Sequence, residues 1–245
     1  MSNQKSTIFL AGDSTVQSYE VKMAPQCGWG QALIRYFAGN EYASFHSEGS
    51  SFGNAVTYDS KVVRIDNRAM GARSTRTFLN EGRFDDMLPS MKEGDYLLMQ
   101  FAHNDANKEK EERYVTPSEY QRLLKEEFIK KAADKGVIPI LVTAIAMMEF
   151  EGDVCKISFP EYREAMLELS QKEKIGLIDL GKLTSDYNTR IGQEACKGIY
   201  LWTREGMFEG FSDGSKDTAH LQFAGAFAYG GLVYKELSKI MDLPE

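Results

Sequence analysis

Thr7-Ile8-Phe9-Leu10-Ala11 runs directly into Gly12-Asp13-Ser14-Thr15-Val16 near the start of the chain. A short apolar run that stops at a glycine is typical of a buried strand followed by a tight turn. Such a turn would hold the Ser14 hydroxyl at the carboxyl edge of a sheet, where enzymes with parallel sheets place their chemistry. Serine, aspartate and glycine are also ordinary turn residues, so this stretch alone does not distinguish a nucleophile from a plain turn.

The composition indicates one domain over residues 1–245. The chain has 245 residues, of which 42% are hydrophobic, and it contains no linker rich in proline, glycine or serine. The net charge of −7 and the lack of a long basic run argue against nucleic acid and anionic membranes as partners. A small anionic substrate held by local arginines is still compatible with this charge.

The sequence shows no segment typical of export or membrane insertion. Residues 1–5 are polar, and the longest apolar stretch, Val137 to Met148, is too short to span a bilayer. An odd number of widely spaced cysteines favours reduced core thiols over a disulfide framework. These cysteines are Cys27, Cys155 and Cys196. We therefore expect a cytoplasmic protein, unless a leader has been removed.

Strand and helix signals alternate along the chain, and Ser44 to Asn54 is interpreted as a surface excursion. Apolar runs predict five strands, at Thr7–Ala11, Val62–Ala69, Tyr96–Ala102, Val137–Ile145 and Ile175–Leu180. Helices are predicted between them, and the last runs from about Thr218 to Ile240. The pattern predicts an α/β fold, a three-layer α/β/α sandwich with a five-stranded parallel sheet and helices on both faces.

A serine nucleophile needs a base, and the base needs an orienting carboxylate. The chain has three histidines, and Asp217-Thr218-Ala219-His220 supplies both partners. At the start of the predicted last helix these two side chains share a face, so Asp217 can fix the tautomer of His220. The simpler alternative is a helix-capping Asp217 beside a surface His220. His46 has no comparable carboxylate nearby.

Two competing sites exist in the sequence. Gly49-Ser50-Ser51-Phe52-Gly53 matches the Gly-x-Ser-x-Gly elbow, which requires a strand before it and a helix after it. Neither is apparent, so we interpret the match as chance. His103, Asp105 and His220 have the side chains of metal ligands, but no helix carries the spacing His-Glu-x-x-His. We therefore expect no metal and no other cofactor.

Four blocks resemble, in order and spacing, those of the GDSL, or SGNH, hydrolases. They are Gly12-Asp13-Ser14, Asn67 to Ser74, Ala102-His103-Asn104-Asp105 and Asp217-Thr218-Ala219-His220. Gly28-Trp29-Gly30 and Arg73 to Phe78 further resemble the rhamnogalacturonan acetylesterase-like branch. The resemblance spans nearly the whole chain and implies a flavodoxin-like fold and a serine esterase.

The resemblance implies a role for each block. Ser14 corresponds to the nucleophile, His220 to the general base and acid, and Asp217 to the orienting partner of His220. The oxyanion hole would use the backbone N–H of Ser14, a backbone N–H of the second block, and the side-chain amide of Asn104. Such donors stabilise the charge of the tetrahedral intermediate.

Two alanines depart from the family pattern. Ala72 lies where the second-block glycine is usual, with Gly71 one position earlier, and Ala102 replaces a common glycine in the third block. An alanine still donates its N–H if the local backbone stays at negative φ, so the oxyanion hole can form with alanine at these positions. Whether Ala72 or Gly71 supplies the oxyanion donor stays open.

The substrate-binding residues are expected after the second block and near the third. Arg73 and Arg76 carry forks that match carboxylates such as those of galacturonate, although salt bridges are their simpler role. Trp202, in a predicted loop, can offer a flat face to a sugar or pack in the core. His103 is expected to contact the substrate or to shape its pocket.

The sequence thus predicts a serine esterase that removes O-acetyl groups from carbohydrate, with pectin- or rhamnogalacturonan-derived oligosaccharides as the expected partners. A short-chain lipid esterase or thioesterase of the same fold is the alternative enzyme. A non-catalytic carbohydrate-binding protein is the alternative from another class.

Overall fold

A seven-stranded sheet lies at the centre of the computed structural model, which describes residues 5–241. The strands are β1 (Thr7–Gly12), β2 (Tyr42–His46), β3 (Val56–Ser60), β4 (Arg64–Asn67), β5 (Tyr96–Gln100), β6 (Ile138–Val142), β7 (Phe150–Glu151), β8 (Val154–Cys155), β9 (Gly176–Ile178), β10 (Tyr200–Thr203) and β11 (Ser215–Leu221). The sheet order is β2-β3-β4-β1-β5-β6-β9, while β7–β8 and β10–β11 form two separate antiparallel pairs.

Helices connect the strands. They are α1 (Trp29–Ala32), α2 (Ile34–Ala38), α3 (Thr75–Asn80), α4 (Arg83–Met87), α5 (Pro117–Leu123), α6 (Lys130–Ala133), α7 (Pro160–Glu173), α8 (Leu180–Ile191), α9 (Gln193–Cys196) and α10 (Phe223–Leu237). A π-helical segment, Leu124–Ile129, joins α5 to α6, and 3₁₀ turns cover Val21–Met23, Leu88–Ser90 and Glu209–Phe211. Among residues 5–241, no helix has the length and apolarity that a membrane span requires.

All five predicted strands form, and they run parallel in the order β4-β1-β5-β6-β9. Along β1, Ile8 and Leu10 enter the core on one face of the sheet, whereas Phe9 and Ala11 enter the core on the other. Burial on both faces explains why β1 is a continuous apolar run. The two cores, each closed by helices, confirm the predicted three-layer α/β/α architecture.

The sheet also has two strands beyond the five predicted parallel ones, because β2 and β3 form an antiparallel hairpin that pairs with β4. Four of the five β2 residues are exposed, so β2 lacks the apolar alternation that identifies a strand. Its last residues fall within the predicted surface excursion. Ser51 lies in the loop between β2 and β3, so a strand does precede the Gly-x-Ser-x-Gly match, but a second strand follows it instead of a helix.

The last helix begins later than predicted, at Phe223, because residues 215–221 form β11. Trp202 pairs with Lys216 and Tyr200 with Leu221, so residues 217–220 bulge out opposite a single residue of β10. The side chain of Asp217 accepts hydrogen bonds from backbone amides within this bulge. Short polar side chains that bond local backbone in this way compete with helix formation.

The three cysteines are free and buried in the described part of the chain, as the sequence predicts. Burial raises the pKa of the Cys27 thiol to about 12. A thiol in that state is a poor nucleophile at neutral pH.

The start of α1 supports the turn that carries Ser14. The Trp29 backbone N–H donates to the Thr15 carbonyl at 2.9 Å, and the Trp29 indole N–H donates to Gln100 Oε1 at 2.7 Å. At Gly30, a Cβ atom would lie 2.5 Å from the Val16 carbonyl oxygen. This approach is closer than any side chain allows, so only glycine lets α1 pack against the turn.

Replacing Gly30 with alanine should therefore force α1 away from the turn. We expect Gly30→Ala to lower the free energy of unfolding by about 1–3 kcal/mol, the usual cost of overpacking, in urea titrations followed by circular dichroism. Gly53→Ala is the matched control, since a Cβ there meets no atom within 4 Å. Equal stability of the two variants would contradict the packing described.

Candidate active site

His220 and Asp217 form a hydrogen-bonded pair on the bulge of β11. His220 Nδ1 lies 2.7 Å from Asp217 Oδ2. The other carboxylate oxygen accepts the backbone N–H groups of Ala219 at 2.7 Å and His220 at 2.8 Å. The bond to Nδ1 fixes the ring orientation and leaves Nε2 as the nitrogen available to another group. The pair predicted from sequence thus forms, but on a strand bulge instead of a helix.

The two partners shift each other's protonation equilibria. Burial of Asp217 disfavours its charge, but hydrogen bonds from the His220 ring and from the amides of His220 and Ala219 outweigh burial and lower its pKa to about 2. The hydrogen bond to Asp217 raises the pKa of His220, and burial only partly opposes this rise. Asp217 is therefore an anion at neutral pH, and the imidazolium of His220 is stabilised.

Ser14 lies in the turn directly after β1, as predicted. The Asp13 carbonyl accepts the N–H groups of Val16 and Gln17, each at 3.2 Å, and the Tyr19 hydroxyl donates to the Ser14 carbonyl at 2.8 Å. The charge of Asp13, which precedes Ser14, contributes to the raised pKa of His220. The serine turn and the histidine pair are therefore electrostatically coupled.

The second-block loop lies against this turn. A Cβ atom at Gly71 would be 3.4 Å from Ser14 Cβ. The condition of negative φ does not hold at the two alanines, because φ is +65° at Ala72 and +115° at Ala102. Positive φ is the region that glycine occupies without strain, and the Cβ of another residue costs about 1–2 kcal/mol there. The loop geometry thus explains why glycine is usual at these positions.

The hydrogen bonds of the backbone N–H groups narrow the choice of candidate oxyanion donor between Gly71 and Ala72. The Gly71 N–H already donates to Gln17 Oε1 at 2.6 Å. Within residues 5–241, the N–H groups of Ser14 and Ala72 have no acceptor. Asn104 donates one amide hydrogen to the Arg73 carbonyl at 3.1 Å, and its amide carries a second hydrogen. Of Gly71 and Ala72, only Ala72 therefore keeps an unengaged backbone N–H.

Asp105, which the sequence offered as a metal ligand, instead links the start of α3 to the loop after β5 through its carboxylate. Its Oδ1 accepts the backbone N–H of Thr75 at 2.9 Å, and its Oδ2 accepts the Ala102 N–H at 3.1 Å. Burial raises its pKa to about 7. In the described part of the chain, no three His, Cys, Asp or Glu side chains are grouped so as to hold a metal ion.

The two predicted arginines differ in what they contact. The Arg73 guanidinium is engaged internally, since Nε donates to both Glu81 oxygens at 3.1 and 3.0 Å and one terminal nitrogen donates to the Gly71 carbonyl at 2.9 Å. Within residues 5–241, the Arg76 side chain donates one long hydrogen bond, 3.5 Å from a terminal nitrogen to the Glu111 carbonyl. Arg73 is therefore not free to bind a carboxylate, whereas Arg76 is.

Trp202 and His103 have different surroundings. Trp202 is on β10 instead of the predicted loop, with the Lys197 ammonium 5.3 Å from its ring centroid. It lines an open cleft of about 1070 Å³ whose lining includes neither Ser14 nor His220. His103 packs edge-on against Phe159 at 4.9 Å, and its Nε2 has no partner in the described residues. Burial, assisted by the charge of His220, lowers the pKa of His103.

Sequence reasoning missed the residues that support these loops from a distance. Gln17 binds the Gly71 N–H, Tyr19 binds the Ser14 carbonyl, and Glu81 binds Arg73. None of the three matches a local sequence motif for its contact. A glutamine or a glutamate of this kind becomes informative only once the loops are placed next to each other.

Comparison with known proteins gives the family. No protein-family model matches the chain. The chain is 33% identical over 234 residues to the probable rhamnogalacturonan acetylesterase YesY of Bacillus subtilis, covering 95% of this chain and 93% of that protein. It is 30% identical over 234 residues to the rhamnogalacturonan acetylesterase RhgT of the same organism, covering 95% and 90%. The chain belongs to the rhamnogalacturonan acetylesterase-like branch of the SGNH hydrolases. This SGNH hydrolase is accordingly a carboxylic ester hydrolase.

Solved structures agree with the SGNH fold. The crystal structure of the protein YxiM from Bacillus subtilis matches with a TM-score of 0.73 and 29% identity, covering 97% of this chain and 57% of that chain. The acetylxylan esterase Axe2 from Geobacillus stearothermophilus matches with a TM-score of 0.60 at 10% identity, covering 98% and 95%. At that identity the second match supports the fold alone.

The His220–Asp217 bond should be visible in the titration of His220. With three histidines in the chain, ring resonances can be assigned by NMR through single replacements. Because the protonated ring is stabilised by Asp217, we expect the pKa of His220 to lie above 6.5, the ordinary value. Asp217→Asn removes the carboxylate charge, so it should lower that pKa. A wild-type pKa at or below 6.5, or one unchanged in Asp217→Asn, would contradict the described pair.

Proposed function

We propose that this SGNH hydrolase is a serine esterase that removes O-acetyl groups from carbohydrate, with acidic, pectin- or rhamnogalacturonan-derived oligosaccharides as substrates. The observation that carries the proposal is the 2.7 Å bond between His220 Nδ1 and Asp217, in a pair whose histidine is influenced by the charge of Asp13, the residue before Ser14. The names of the relatives YesY and RhgT support the carbohydrate acetyl ester as substrate class.

In this proposal Ser14 is the nucleophile. His220 Nε2 accepts the hydroxyl proton as the Ser14 oxygen attacks the acetyl carbonyl, and Asp217, ionised at neutral pH, stabilises the imidazolium. Collapse of the tetrahedral intermediate breaks the bond to the sugar oxygen, which takes the proton from His220. Water then attacks the acetyl-enzyme with the same base, which releases acetate and restores the Ser14 hydroxyl.

The oxyanion is assigned to three N–H donors. These are the backbone N–H groups of Ser14 and Ala72 and the second amide hydrogen of Asn104, which the loops leave without acceptors. Donors held in place before the reaction stabilise the charge that develops on the carbonyl oxygen, each by about 10²–10³ in rate. The engagement of the Gly71 N–H by Gln17 supports Ala72 over Gly71 in this role.

Three residues are proposed to contact or shape the substrate. Arg76 is the guanidinium left free to bind a carboxylate, and Trp202 in the neighbouring cleft offers an aromatic surface to a sugar. His103 is proposed to line the acetyl pocket as a neutral ring, because its lowered pKa avoids a second positive charge beside His220. Arg73 is not assigned to substrate, since Glu81 and Gly71 occupy its guanidinium.

The acyl preference tests the proposal. The Cβ of Ala72 takes space from an acyl chain, so acetyl esters should be hydrolysed with higher kcat/KM than butyryl and octanoyl esters. Ala72→Gly should relax this preference without unfolding the protein, because glycine adopts the positive φ at this position freely. The measurements are kcat/KM for a p-nitrophenyl ester series and acetate release from acetylated rhamnogalacturonan oligosaccharides and acetylxylan.

The controls separate the alternatives. Ser14→Ala should abolish both reactions, and EDTA should change neither. An optimum at six carbons or longer would favour the lipid esterase, and activity lost in EDTA and restored by a divalent ion would favour a metal mechanism. Glycan binding without acetate release would indicate a carbohydrate-binding protein.

A further inference from the structure

We infer that Glu81 is a positioning residue for ester hydrolysis: through Arg73 and Arg83 it holds the loop of residues 69–73, which carries the Ala72 N–H and orients Asn104. This inference rests on the proposed function, since it concerns the assigned oxyanion donors. Glu81 ends α3 and lies outside the four family blocks. We call Glu81, Arg73 and Arg83 the arginine clamp.

One carboxylate serves both arginines of the clamp. Arg73 Nε donates to the two Glu81 oxygens at 3.1 and 3.0 Å, and Arg83 Nε donates to Oε2 at 2.5 Å. The Arg83 side chain is 7% exposed and that of Arg73 is 24% exposed. The Glu81 side chain is 36% exposed, so water and salt screen these bonds in part, and the burial of Arg83 limits that screening on its side. The effect of these bonds exceeds that of burial and lowers the pKa of Glu81.

Two hydrogen bonds of Arg73 lie on either side of Ala72 in the chain. A terminal guanidinium nitrogen of Arg73 donates to the Gly71 carbonyl at 2.9 Å, on one side of Ala72. On the other side, the Arg73 carbonyl accepts the Asn104 amide at 3.1 Å. The guanidinium thus fixes the peptide that precedes Ala72, while the backbone of the same residue orients Asn104. Two of the three assigned oxyanion donors depend on the placement of residue 73.

The Arg83 arm reaches the start of the same loop. A terminal nitrogen of Arg83 donates to Asn54 Oδ1 at 3.0 Å, and Asn54 Nδ2 donates to the Ala69 carbonyl at 2.9 Å. The guanidinium also stacks over the Phe52 ring, with its central carbon 4.2 Å from the ring centroid. Glu81 is therefore linked to the loop at Ala69 through Arg83 and at Gly71 through Arg73.

The backbone of Ala72 explains why such a clamp is needed. Its φ of +65° is unfavourable for alanine, and strained backbone of this kind persists only where surrounding contacts fix it. Gln17 holds the Gly71 N–H, but the Gly71 carbonyl is held by Arg73. If that bond is lost, the peptide can rotate towards negative φ and turn the Ala72 N–H away from the carbonyl oxygen of the ester.

The test uses Glu81→Gln and Arg73→Ala with p-nitrophenyl acetate, which has no carboxylate for an arginine to bind. We expect kcat to fall about 10- to 100-fold, less than the loss of about 10²–10³ when an oxyanion donor is removed outright, because the donor is misplaced and not deleted. KM should change less than about twofold, and the acid limb of the pH profile should stay in place. Millimolar guanidinium chloride should restore part of the activity of Arg73→Ala, whereas sodium chloride should not. Thermal melting verifies that each variant is folded.

Arg163→Ala is the matched control. Arg163 forms a two-pronged pair with Asp179, at 2.9 and 2.6 Å, and its side chain is also 24% exposed. It should cost stability but leave kcat within about twofold. Arg73→Lys is the second variant if Arg73→Ala does not fold, and it should also lower kcat, because an ammonium cannot bridge Glu81 and Gly71 with a planar fork.

Two results would overturn the inference: wild-type kcat in folded Glu81→Gln and Arg73→Ala, or a loss confined to KM. Failure of the proposed function has a different signature, namely ester hydrolysis that persists in Ser14→Ala. If Ser14→Ala is inactive and the clamp variants are unaffected, the serine mechanism stands and only the positioning role of Glu81 is wrong.

Discussion

The parallel register of β1 with its two neighbours determines where the chemistry of this SGNH hydrolase can lie. Leu10 pairs with Asn67 of β4, and Gly12 pairs with Gln100 of β5, so three strands end at nearly the same level. The loops that follow them must then converge, and the Met70 N–H already bonds the Gly12 carbonyl at 3.0 Å. A slip in this register would separate the Ser14 turn from the loops that carry the assigned N–H donors.

The carboxyl groups of Asp217 and Asp105, near this edge of the sheet, have very different pKa values. Asp217 is held as an anion by three hydrogen bonds, with a pKa of about 2, whereas the more deeply buried Asp105 has a pKa of about 7. The difference follows from solvation, since no positively charged side chain among the described residues offsets the burial of Asp105. Asp217 is therefore suited to stabilise a cation beside it, and Asp105 is suited to tie loops together.

The features of this protein that could be predicted from the sequence are those with a local sequence pattern. The strand β1 could be predicted because burial on both faces makes it a continuous apolar run. The Asp217–His220 pair could be predicted because the two residues are three apart in the sequence. The exposed strand β2 left no apolar alternation, and the bulge of β11 has the same spacing as a helix start. Positive φ at Ala72 could not be predicted, because its loop is held by residues distant in sequence, such as Gln17. The contacts of Glu81 with Arg73 and Arg83 are closer in sequence but follow no local motif.

The most direct test of the account is to find which serine reacts. A fluorophosphonate probe should attach to Ser14, with the modified peptide identified by mass spectrometry, and labelling should stop in His220→Gln because the serine then lacks its base. Ser51, which matches the competing motif, should stay unmodified. Attachment at Ser51, or full esterase activity in a protein that the probe does not label, would contradict the serine mechanism proposed for this site.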